Sequence, residues 1–115
     1  MQTVLLTPTF ERQAQRAGLS EDELQAIVAL IAEDPACGVV IPGAGGARKV
    51  RHAGRGKGKS GGYRTIHFFG GEDVPIFLLA LIDKGERADL TAKERNELAT
   101  LLPRVAKTCR RRWKI

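Results

Sequence analysis

A chain of 115 residues with a hydrophobic fraction of 43% and a net charge of +6 has room for one domain with a modest core. The N-terminus lacks a basic segment leading into an apolar one, and the longest apolar run, Val74–Ile82, is too short to cross a bilayer. A secreted or membrane-anchored protein is therefore not expected, and the cytoplasm is the expected compartment. Cys37 and Cys109 have no companions at metal-ligand spacing, and His52 and His67 are too few to complete a zinc site with them. Two reduced structural thiols, no metal and no cofactor are expected.

In chain order, Gln2–Leu6 alternates loosely and predicts a first strand. Thr7 followed by Pro8 is a helix cap with proline at the first helical position; Phe10, Ala14 and Ala17 share one face, and Gly18 marks the stop. Ser20 and Glu23 form a capping box for a second helix, with Leu19 and Leu24 placed as a hydrophobic staple. Leu24, Ile27, Val28 and Ile31 make its apolar stripe, and Pro35 ends it. Strands are predicted at Arg48–Arg51, Tyr63–Phe69 and Pro75–Ile82. The last two form an antiparallel hairpin around Gly70–Asp73, with Pro75–Ile82 at the centre of the sheet. Thr91 and Glu94 open a final helix with Leu98, Leu101 and Leu102 on one face. Pro103 is expected to interrupt it, leaving a kinked extension, a separate short helix or a mobile tail. The fold class is α+β: an N-terminal helical hairpin and a C-terminal helix around a small, mostly antiparallel sheet. The expected organisation is one domain over residues 1–103 and a basic tail over residues 104–115.

The charge is unevenly placed. Residues 45–64 hold seven of the 19 Lys and Arg residues, residues 104–115 hold six more, and neither segment contains an acid. All 13 acids lie elsewhere. Cations on a glycine-rich chain suit a phosphate-rich partner, nucleic acid first. Ala53–Ser60 nearly matches a phosphate-binding loop, but the first glycine is one position late, and a basic strand precedes where an apolar strand is required. The residues offer no carboxylate pair and no nucleophile beside a histidine. A cluster of Lys and Arg can still serve RNA cleavage: arginine stabilises a phosphorane with forked donors, and lysine among other cations loses its proton more readily. The same cluster also suits RNA or DNA binding without catalysis, and the residues alone leave both open.

Three ordered motifs narrow this. Ile41–Arg51 (IPGAGGARKVR), Gly54–Arg64 (GRGKGKSGGYR) and Lys84–Thr91 (KGERADLT) resemble the RelE/HigB superfamily of toxins from bacterial type II toxin–antitoxin systems, nearest its HigB-like branch. The resemblance spans roughly Thr3 to Leu102. It implies a RelE-like fold and a ribosome-dependent endoribonuclease, an mRNA interferase that cuts translated mRNA. It further implies a cognate antitoxin, HigA-like with a helix-turn-helix, with operator DNA bound only through that antitoxin. Carried over residue by residue, it makes Arg64 the first candidate for transition-state stabilisation and Lys84 a lysine beside the scissile phosphate or the ribosomal RNA. Lys57 and Lys59 match a basic loop and complete the candidate catalytic set. Lys49 and Arg51 match a basic pair on one side of their strand. Arg48, Arg55 and His52 are assigned with them to RNA or ribosome contact. The chain departs from the pattern at Leu81-Ile82-Asp83, where many relatives have an aromatic residue and alanine, and at His67-Phe68-Phe69, where they often carry tyrosines. The alternatives are a non-catalytic nucleic-acid-binding protein and an inactive homologue that still binds its antitoxin.

Overall fold

The computed structural model describes residues 2–53, 62–87 and 89–113. Those residues form three helices and one mixed five-stranded sheet. The chain order is β1 (Val4–Leu6), α1 (Pro8–Ala17), α2 (Glu21–Glu33), β2 (Val39–Val40), β3 (Arg48–His52), β4 (Tyr63–Phe68), β5 (Ile76–Asp83) and α3 (Ala92–Trp113). None of the described helices is long and apolar enough to cross a membrane.

Local signals build the helical hairpin as expected. The Thr7 hydroxyl accepts from the Phe10 N–H at 3.2 Å and donates to the Leu78 carbonyl at 2.9 Å, so the cap of α1 also fastens that helix to β5. Gly18 closes α1 in the left-handed conformation at φ 75°. Ser20 and Glu23 complete the capping box of α2.

The strand order is β1-β5-β4-β3-β2; β1 runs parallel to β5 and every other pairing is antiparallel. The hairpin of β4 and β5 forms as expected, but β4 is the middle strand and β5 lies between it and β1. A bulge opposite Ile66 and His67 takes up one extra residue of β5. Layers of helix cover both faces of the sheet. On one face Phe10, Ala14, Ile27 and Ile31 pack on Tyr63, Ile76, Leu78 and Leu81. On the other, Leu90, Leu102 and Ala106 pack on Ile66, Phe68, Ala80 and Ile82. Double coverage explains why Ile76–Ile82 is an unbroken apolar run.

Of the three outcomes expected beyond Pro103, the extension of the helix is the one that forms. α3 runs through Pro103 to Trp113, and Ala106 beyond the proline is buried in the core. Proline breaks the helical ladder by freeing the carbonyl four residues back. Here both Pro103 and Ala99 are exposed, so water can take up that bond. Near its far end, Arg110 donates to the Gly70 carbonyl and pairs with Asp73 at 3.2 Å, tying the helix to the β4–β5 turn. In the segment Gly43–Gly46, Gly45 serves packing. A side chain at Gly45, which has φ 68°, would meet the Leu98 carbonyl oxygen of α3 at 2.6 Å. The flanking Ala44 and Ala47 are fully buried.

Candidate active site

β3 and β4 carry the site, and pleat parity sorts its residues. Ile66 and Phe68 point into the α3 core, so Arg64, two residues before Ile66, shares their face. On β3, Lys49 lies opposite Ile66 and Arg51 opposite Arg64. Lys49, Arg51 and Arg64 therefore share the α3 side of the sheet. Like charges placed directly opposite each other oppose pairing of the strands. An arginine facing an arginine is thus unfavourable for the sheet alone and favourable toward an anion that both can reach.

Lys84 follows β5 directly, where Asp83 pairs with Tyr63, and its N–H donates to the Gly62 carbonyl at 3.2 Å. The ends of β3, β4 and β5 thus gather Arg51, Arg64 and Lys84 at one end of the sheet. The loop after Lys84 returns to this cluster. The Lys49 ammonium donates to Asp89 at 3.0 Å, and the other carboxylate oxygen accepts from the Leu90 N–H at 2.7 Å. Burial pushes the Asp89 carboxyl up, but the Lys49 and Leu90 hydrogen bonds and the fields of Lys49 and Arg64 outweigh it, so Asp89 titrates below the ordinary carboxylate range. Arg87 makes a forked pair with Glu94 at 2.7 and 3.2 Å, and Glu94 also takes the Thr91 N–H at 2.8 Å. That pairing, the Arg87 bond foremost, lowers the Glu94 pKa and fixes the loop to the start of α3.

The opposite parity leads elsewhere. Arg48 donates to the Ala36 carbonyl at 2.8 Å. His52 Nε2 lies 2.9 Å from the hydroxyl of Thr65, which is fully buried. Burial first, and His67 second, lower the His52 pKa and keep the ring neutral. His67 is wholly buried; its Nε2 donates to the Pro35 carbonyl at 2.8 Å, while Nδ1 has no hydrogen-bond partner among the described residues. Burial lowers its pKa as well. Arg48 and His52 are therefore separated by the thickness of the sheet from Lys49 and Arg64; Arg48 bonds to the segment after α2, and His52 to the neighbouring strand β4. The groove on that side is lined by Asp22, Glu23, His52 and Tyr63, and Arg51 at the end of β3 also borders it although its register sets it on the α3 side; the lining is mixed in charge and less suited to phosphate than the α3 side. Arg55, Lys57 and Lys59 lie outside the described residues. Among the described residues, no three His, Cys, Asp or Glu side chains gather as metal ligands.

The family description for the RelE toxin of the RelE / RelB toxin-antitoxin system matches residues 2–113. The chain belongs to the RelE toxin family. The match reaches further than the motifs that suggested it, taking in α3 beyond Pro103. The α+β architecture of this RelE-family chain, with helical layers around a mixed sheet, agrees with that membership. Membership places the chain in a toxin–antitoxin system, with an antitoxin as its partner.

Asp89 escaped the residue-by-residue reading. It stands in the Lys84–Thr91 motif, but its partner Lys49 lies 40 positions earlier, and no local spacing joins the two.

Proposed function

We propose that this chain is a ribosome-dependent endoribonuclease that cuts mRNA during translation, in the cytoplasm where ribosomes work, and is silenced by its antitoxin. The observation that carries the reading is Arg51 opposite Arg64, with Lys49 beside them, at the end of the sheet where Lys84 emerges. Internal cleavage of RNA requires a 2′-oxygen to attack phosphorus, a proton to leave that oxygen, and the 5′-oxygen to depart and be protonated. Charge accumulates on the non-bridging oxygens, and paired guanidinium forks answer it. Arg64 takes that role here. Arg51 and Lys49 hold the phosphate chain, and Lys84 with Lys57 and Lys59 supply the remaining cationic contacts and proton transfers.

Both described histidines are neutral and engaged away from this face, which leaves the described cluster without a strong base. In-line alignment must then come from outside, and a translating ribosome offers mRNA on a fixed path. Arg48 is assigned to the fold rather than to RNA. The antitoxin is taken to be a HigA-like helix-turn-helix protein that contacts operator DNA on the toxin's behalf. The test compares mRNA on programmed ribosomes with the same RNA naked, in the presence of purified protein. New 5′-hydroxyl ends on ribosomes only are expected. Rapid cleavage of naked RNA, or growth arrest without cut ends, contradicts the reading.

A further inference from the structure

Asp89 is an acid on a face otherwise built of cations. A carboxylate there repels the phosphate that Arg51 and Arg64 attract. Half-exposed ion pairs add little to stability, so the pair with Lys49 is not explained by what it contributes to the fold. A lysine ammonium on a four-carbon stem, however, samples many positions, and a donor that must meet one phosphate oxygen benefits from being fixed beforehand.

Asp89 itself is fixed. One oxygen is held by the Leu90 N–H, and Leu90 is buried under α3. The Arg87–Glu94 fork and the Thr91–Glu94 capping box lock the loop on either side. The remaining oxygen is aimed at Lys49. Resting on the endoribonuclease reading, we infer that Asp89 is a positioning residue: it holds the Lys49 ammonium on the face shared with Arg64, ready to meet the phosphate at the cut. Lys49 makes the contact with RNA, and Asp89 acts only through it. The loop from Lys84 to Asp89 thereby brings two functional groups to the site, a cation at its start and the orienting acid at its end.

Asp89→Asn separates positioning from folding. Its side-chain oxygen can still accept from the Leu90 N–H, which leaves an amide donor facing the Lys49 donor, so the pair is severed while the turn is kept. Asp89→Ser is the second variant, keeping a local acceptor without charge. The experiment measures single-turnover mRNA cleavage on programmed ribosomes for wild type, each Asp89 variant, Lys49→Ala and the double variants, with thermal melts alongside. Positioning predicts a fall in the maximal rate of about tenfold or more in the Asp89 variants, with half-saturating ribosome concentration and melting temperature unchanged. It also predicts no further fall when either Asp89 variant is combined with Lys49→Ala. Unchanged rates, losses that multiply in the double variants, or losses that follow the melting temperature overturn the inference while wild-type cleavage stands. A wild-type chain that leaves ribosome-bound mRNA intact overturns the endoribonuclease reading, and this inference with it.

Discussion

The two faces of β3 take similar residues to opposite ends. Arg48 and His52 point toward the α1–α2 layer and are engaged by the fold: a carbonyl at 2.8 Å for one, a buried hydroxyl at 2.9 Å for the other. Lys49 and Arg51 point to the α3 side, where they meet Arg64 and Asp89. One step along a strand thus separates a cation that completes a backbone hydrogen bond from one that can meet a phosphate. Charge counts along the sequence treat these residues as equivalent, and the pleat does not.

The largest effect is expected at Arg64. Arg64→Ala should raise the cleavage barrier by about 2.7–4 kcal/mol, the typical cost of losing one donor to developing charge, with the melting temperature little changed. Full toxicity in a well-folded Arg64→Ala protein would break the assignment of the α3 side as the reacting face.

Next comes Gly45→Ala, which probes the architecture that carries that face. The new methyl would meet the Leu98 carbonyl at 2.6 Å in a left-handed backbone conformation. A stability loss of about 2–3 kcal/mol is expected, read by denaturant unfolding, with cleavage per folded molecule preserved. Lost activity without lost stability would instead assign Gly45 to the site rather than to packing.

Arg48 and Arg51 sharpen the comparison directly. Arg48→Ala removes a hydrogen bond to a main-chain carbonyl and should cost about 1 kcal/mol of stability, without changing how ribosome affinity depends on salt. Arg51→Ala should leave stability alone and reduce the slope of log affinity against log salt by roughly 0.7, the loss of one phosphate contact on single-stranded RNA. Exchanged outcomes would mean that the faces have been assigned the wrong way round.

The smallest effect concerns acid. His52 and His67 are held neutral in the fold, so below about pH 6.5 the unfolded chain takes up protons first. Their contribution to stability is therefore complete above that pH and is lost as pH falls through the depressed folded-state values. Asp89 and Glu94, also depressed, add a second loss at lower pH. His67→Gln keeps an N–H for the Pro35 carbonyl and should flatten the first step in thermal melts between pH 8 and 5. An unflattened step would place that proton uptake elsewhere.

Much of the fold was legible because its signals are local. The Thr7 and Ser20 caps, the stop at Gly18 and the β4–β5 hairpin each lie within a few residues of one another. β2 was not legible, since two residues at Val39–Val40 carry no period, and its pairing with β3 depends on a distant partner. Pro103 left three outcomes open, because sequence alone does not show that Pro103 and Ala99 lie on the exposed side of the helix, where water can take up the freed carbonyl. In the site, period-two alternation already set Lys49 and Arg51 on one side. That Arg64 joins them depends on strand register, and that Asp89 does so depends on a loop closing over 40 residues; neither leaves a trace in sequence spacing. The packing role of Gly45 was not legible either, because its helical neighbour, Leu98 of α3, lies about 50 residues downstream.

The central claim is that the α3 side of β3 and β4 does the chemistry. Four single variants test it most directly: Arg51→Ala and Arg64→Ala against Arg48→Ala and His52→Ala, compared by single-turnover mRNA cleavage on programmed ribosomes and normalised to folded protein. The first pair should each lose about tenfold or more, and the second pair should stay within about twofold of wild type. Losses confined to Arg48→Ala and His52→Ala, or spread evenly over all four, would contradict it.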